Sequence, residues 1–124
     1  MSSATAAGGD TGGMFAAIDA KDGAAFVAYL TEDAIFRFGS APPVQGRDAI
    51  QAAVEGFFTT IAGCTHSIAN TLREDNTLVC EGEVTYRRHD GSEIALPFTD
   101  VFEYEGDLVA HYKIYIDVGP LYAA

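Results

Sequence analysis

The chain has no tryptophan, only two cysteines, and seven Lys and Arg against eighteen Asp and Glu. Each shortage removes a class of function. A formal net charge of −11 repels phosphate backbones and anionic lipid heads, which excludes nucleic-acid and membrane-surface partners. No window approaches the about eighteen continuous apolar residues of a membrane span. Cys64 and Cys80 stand at no metal-ligand spacing from another Cys or His, so they read as reduced thiols of a cytoplasmic protein. No Gly-rich phosphate loop, metal motif, or Ser or Cys nucleophile with a His neighbour is legible, and no cofactor or metal is expected.

What is present is apolar volume. At 124 residues and 48% hydrophobic, with eight Phe and six Tyr, the chain can fill the core of one domain. Residues 1–13 are small and polar, without the basic and apolar regions of a signal peptide, and read as a flexible tail before a domain over 14–124.

Hydrophobic spacing gives three helices and then a meander. Met14–Ala20 is a short helix. Asp22 caps a second through Leu30, stopped by Thr31–Asp33. Ala34–Phe38 is a strand, and Gly39–Gly46 a loop. Asp48–Ile61 is the clearest helix, with Ile50, Val54, Phe57, Phe58 and Ile61 at helical spacing. Strands follow over Thr65–Leu72, Thr77–Arg88, up to Tyr104, and up to Asp117, with turns at Arg73–Asn76, Asp90-Gly91 and Glu105–Asp107. Helices first and strands afterwards predict an α+β fold with three N-terminal helices packed on a curved, mostly antiparallel sheet.

Alternation after Asp90-Gly91 puts Ile94, Leu96, Phe98, Asp100, Phe102 and Tyr104 on one face. A carboxylate among large apolar side chains is costly unless it is partnered, protonated or used, so Asp100 is the leading candidate for chemistry. A two-residue type I′ loop would pair His89 with Ser92, and hence Glu81 with Asp100 and Glu83 with Phe98. The neighbouring turns add His66, Asn70, Tyr112, Ile114 and Ile116 to the same face. Cys80, Gly82, Val84, Tyr86, Thr99, Val101 and Tyr115 would form the other face, suited to a second subunit.

An apolar wall with a few converging polar groups suits a small-molecule pocket. Asp100 and Glu81 would form an acid–base pair, because two close carboxylates cannot both ionise cheaply. The plainer alternative leaves Glu81 in water or against Arg87. His66 is either a general base reaching Asp100 or Glu83, or a strand histidine bonded to a neighbour. Tyr112 either donates to a substrate oxygen or only packs.

The stretches A-I-D-A-K-D-G-A-A-F-V-A-Y-L-T-E-D-A, G-R-D-A-I, P-F-T-D-V-F and Y-K-I-Y-I-D resemble the SnoaL-like, NTF2-like superfamily, over roughly Met14 to Leu121. That superfamily includes ketosteroid isomerase, limonene-1,2-epoxide hydrolase and polyketide cyclases. The resemblance implies a cone-shaped barrel, a homodimer and a pocket for a small hydrophobic molecule. It sets Asp100 at the isomerase's protonated oxyanion-hole aspartate. The isomerase's base falls on Phe38 and its tyrosine on about Met14. The hydrolase's Tyr and Asn fall on Phe36 and Phe38, and its last aspartate on Ile114.

The function expected is a cofactor-free acid/base enzyme of the isomerase, cyclase, dehydratase or hydrolase class, acting on a small hydrophobic carbonyl or hydroxyl compound. Asp100, His66 and Glu81 are the catalytic candidates. Phe36, Phe38, Phe58, Asn70, Glu83, Phe98, Phe102, Tyr112, Ile114 and Ile116 are the candidates for contact with substrate. The alternative is a non-catalytic ligand-binding or dimerisation module of the same fold.

Overall fold

A computed structural model describes residues 11–123. The elements in chain order are α1 (Thr11–Asp19), α2 (Gly23–Val27), β1 (Leu30–Phe38), β2 (Val44–Gln45), α3 (Arg47–Phe58), β3 (Gly63–Glu74), β4 (Thr77–Arg87), β5 (Glu93–Glu105), β6 (Leu108–Tyr115) and α4 (Gly119–Tyr122). The predicted tail over 1–13 meets the described residues only at its end, where Thr11–Gly13 belong to α1. Residues 1–10 lie outside them. None of the described helices is long and apolar enough to cross a membrane.

Local chemistry accounts for the helices. The Asp22 side chain accepts from Ala25 N–H at 3.0 Å and caps α2. That helix ends at Val27, and the chain enters β1 at Leu30, so Thr31–Asp33 lie in a strand rather than stop a helix. In α3, Ile50, Val54 and Phe58 are buried along one face, while Asp48 sits in the first turn, where a carboxylate suits the helix dipole. The fold thus has the expected three helices, with β1 and β2 between the second and third, and a fourth, one-turn helix near the C-terminus.

The six strands form one sheet in the order β2-β1-β6-β5-β4-β3, with only β1 and β6 parallel. β2 and β3 are its two edges, so the sheet is curved but not closed. The curvature has identifiable sources. The β3–β4 register shifts between Ile68 and Asn70, and that of β5–β6 between Glu103 and Tyr104. At Gly82 a Cβ would lie 1.9 Å from the Ser67 carbonyl oxygen, so the two strands can approach there only with glycine.

The β4–β5 hairpin differs from expectation by one residue. Arg88 N–H donates to Ser92 O at 2.8 Å and Gly91 N–H to Arg88 O at 3.0 Å, with Gly91 at φ +90°. The loop therefore holds three residues, His89-Asp90-Gly91, and the Asp90 carboxylate accepts from Ser92 N–H at 2.8 Å. An added loop residue moves the register by one and turns every β4 side chain to the opposite face. Cys80, not Glu81, pairs with Asp100, Val84 pairs with Leu96, and Glu83 pairs with Pro97. Leu78, Cys80, Val84 and Tyr86 are consequently buried, whereas Glu81 and Glu83 are exposed.

Candidate active site

The concave face of the sheet and the helices enclose a cavity of about 200 Å³. β1 contributes Phe36 and Phe38, α3 contributes Phe58, β5 contributes Phe98 and Asp100, and β6 contributes Tyr112 and Ile114. Ile116 lies just beyond β6 and also lines it. On the β3 side the wall holds Cys64 and His66. Asp100 and His66 thus border the same space from β5 and β3, with β4 between them.

Asp100 is 1% exposed, and so is Tyr112. The Tyr112 hydroxyl donates to Asp100 Oδ2 at 2.8 Å. Oδ1 is buried and meets no hydrogen-bond partner among the described residues. Burial pushes the Asp100 carboxyl up to about 7, and the Tyr112 hydrogen bond offsets only part of that. The Tyr112 phenol is raised well above its ordinary value, first by burial and then by Asp100. Near neutral pH the carboxyl can therefore hold its proton as a donor or release it as a base. Tyr112 is itself held by aromatic packing. Phe102 stacks on it at 4.4 Å between centroids, and Phe36 meets it edge-on at 5.6 Å.

His66 has a partner that sequence reasoning missed. Its Nδ1 lies 2.6 Å from Asp19 Oδ1, and its backbone N–H donates to Asp19 Oδ2 at 3.0 Å. A carboxylate at Nδ1 fixes the proton there and leaves Nε2 as the ring's acceptor nitrogen. Phe15 and Phe98 hold the ring, with centroids at 5.0 and 5.4 Å. β3 is an edge strand, so its main-chain groups facing away from β4 need partners from outside the sheet, and Asp19 supplies one. One sequence signal pointed to Asp19. It ends α1, where the helix dipole disfavours a carboxylate, so an acid at that position asks for a local partner.

Four candidate residues, Glu81, Glu83, Asn70 and Phe102, do not line the cavity. Glu81 and Glu83 occupy the convex face for the register reason given above. Asn70 follows the β3 bulge, which turns it outward, where its Nδ2 donates to Glu81 Oε1 at 2.8 Å. Phe102 points inward but sits behind Tyr112 as core, fully buried. Glu81 is therefore no acid–base partner of Asp100, whose side-chain hydrogen bond goes to Tyr112. His66 contacts Asp19 rather than Asp100 or Glu83.

A curved six-stranded sheet holding one cavity against N-terminal helices defines the NTF2-like class of α+β folds. The chain belongs to the SnoaL-like domain family, whose model matches residues 12–112. Solved structures agree on the fold. An NTF2-like protein of unknown function from Burkholderia pseudomallei K96243 superposes with a TM-score of 0.79 at 16% identity, over 88% of each chain. A putative polyketide cyclase from Xanthomonas campestris gives 0.79 at 17% identity, over 90% of each chain. A protein of ketosteroid isomerase-like fold from Catenulispora acidiphila DSM 44928, in complex with trimethylamine, gives 0.78 at 14% identity, over 85% of this chain and 82% of that one. Identities this low carry fold alone. No curated protein matches the sequence.

Proposed function

We propose that the chain is a cofactor-free acid/base enzyme acting on a small hydrophobic carbonyl or hydroxyl compound, of the isomerase, cyclase, dehydratase or hydrolase class. The observation that carries this reading is Asp100: a buried carboxyl with one oxygen unpartnered, on the wall of an apolar cavity that His66 also lines. A substrate oxygen would take its hydrogen bond from protonated Asp100, with Tyr112 bracing the other carboxyl oxygen. His66, oriented by Asp19, would remove a proton from the carbon α to that carbonyl. The resulting enolate would be held by Asp100. Return of the proton to another carbon gives isomerisation, loss of a neighbouring hydroxide gives dehydration, and attack on a second carbonyl closes a ring. Phe36, Phe38, Phe58, Phe98, Ile114 and Ile116 would hold the substrate's apolar body.

The reading includes a homodimer formed through the convex sheet face. Val79 and Val101 pair there, half-buried, beside Tyr115, which is 58% exposed. Val84, which the two-residue loop would have placed on this face, lies in the core and offers no test of the dimer. Val101→Asp does, and light scattering should then report a monomer.

The catalytic test is solvent deuterium exchange beside the carbonyl of bicyclic aryl ketones such as tetralones, followed by NMR. Wild type should accelerate the exchange, and Asp100→Ala and His66→Gln should each abolish the acceleration. A ketone that raises the melting temperature yet exchanges no faster than in buffer would move the protein to the non-catalytic binding reading.

A further inference from the structure

Three donor side chains of different chemistry converge where α1 meets β3. Cys64 and His66 are two residues apart on one strand, so alternation sends both to the same face. Asp19, the last residue of α1, reaches between them. Its Oδ1 is 3.7 Å from Cys64 Sγ and 2.6 Å from His66 Nδ1, and one donor atom from each residue lies within 4.8 Å of the others. The nearby cation, Lys21, is committed elsewhere: its Nζ donates to the Phe58 and Ile61 carbonyls at 3.3 and 3.0 Å.

We propose that Asp19, Cys64 and His66 form a binding site for one zinc-like divalent cation, with its remaining coordination position open to the cavity. The donor set selects the ion. One thiolate, one imidazole and one carboxylate suit zinc or cobalt and disfavour magnesium or calcium, which take oxygen ligands. The spacing is close to what the ion needs. Bonds of roughly 2.0–2.3 Å in a tetrahedron set donor atoms roughly 3.3–3.7 Å apart. The Cys64–Asp19 distance already meets this, the Asp19–His66 contact has to open by roughly 0.7 Å, and the Cys64 and His66 donors lie within 4.8 Å of each other. Cys64 and His66 both line the cavity, so three protein ligands leave the fourth position to water or to a cavity ligand.

Burial pushes the Cys64 thiol up to about 12, so the protein without metal carries it protonated. Coordination releases that proton to solvent as the sulfur–metal bond forms. The cation also replaces the proton that Asp19 and His66 share. It would thus remove the histidine from proton transfer, and occupancy and acid/base turnover exclude one another. The site itself rests on geometry, whether or not the cavity is catalytic.

Cobalt and zinc ions alone are sufficient probes. Metal-stripped full-length protein titrated with Co²⁺ should develop a thiolate-to-cobalt charge-transfer band and tetrahedral ligand-field bands, saturating at one ion per chain. Zn²⁺ should abolish both and Mg²⁺ should not. Cys80→Ser should keep the band. Cys64→Ser, with folding checked by circular dichroism, should lose it and weaken Zn²⁺ binding by roughly tenfold or more, as should Asp19→Asn. Wild-type protein giving only the weak absorption of octahedral cobalt would overturn the proposal without recourse to any variant. So would a band that survives in Cys64→Ser.

Discussion

Asp100→Asn should reverse the sign of its own effect on stability as pH rises. In the folded chain the Asp100 carboxyl keeps its proton up to about 7, whereas in the unfolded chain it loses it near 3.8. Between these values the native state binds more protons than the unfolded one, so wild-type stability falls as pH climbs through that window and levels off above about 7. A displacement of about three pH units, at about 1.4 kcal/mol each, makes the fall about 4 kcal/mol. Asparagine does not titrate, so the variant lacks this slope. Its amide can still accept from Tyr112, but its N–H groups face the place where Oδ1 has no partner, a cost of about 1–3 kcal/mol. The variant should be the weaker protein at about pH 4 and the stronger one at about pH 8, by about 1–3 kcal/mol each way. Urea denaturation of both proteins across this range, followed by circular dichroism, gives the difference directly, and the other titrating groups cancel in it. Two stability profiles that stay parallel would refute the reasoning, because they would mean that Asp100 titrates alike folded and unfolded.

Tyr112→Phe removes the hydrogen bond that holds the Asp100 carboxyl down, so its titration should move further up and stability should drop by about 1–3 kcal/mol. Carboxyl carbon NMR reads the first effect, and an unmoved titration counts against the pairing. Gly82→Ala sets a methyl against the Ser67 carbonyl and should cost about 3 kcal/mol in denaturant titration. Full stability in that variant would mean that β3 does not approach so closely. The three-residue hairpin predicts that Val84→Asp unfolds the protein, by burying a charge, while Glu83→Ala changes stability by less than about 0.5 kcal/mol. The two-residue hairpin predicts the reverse, and melting curves of the pair decide between them.

Much of the site was legible because strand alternation within one strand needs no partner. The run from Ile94 to Tyr104 fixed which side Asp100 shares with Phe98, and the spacing of Tyr112, Ile114 and Ile116 placed them against it. What failed was pairing between strands. Asp90-Gly91 fits both a two-residue and a three-residue loop, and the choice turned on the Arg88–Ser92 hydrogen bonding, which leaves no mark in composition. That single residue turned Glu81 and Glu83 out and Cys80, Val84 and Tyr86 in. Asn70 was lost for a related reason, since a bulge interrupts the alternation it was inferred from.

The chain's own order of residues determined its fold class, the inward set of its fifth strand and the cost of an acid at position 100. Each follows from periodicity and solvation, which act along a few consecutive residues. Tertiary structure alone decided the company that acid keeps. Tyr112 reaches it across a strand pair, and Asp19 comes to His66 from 47 positions away, at the end of a helix docked on the sheet edge. Such meetings depend on loop length, bulges and helix docking, and a shift of one residue in any of them changes which side chains touch.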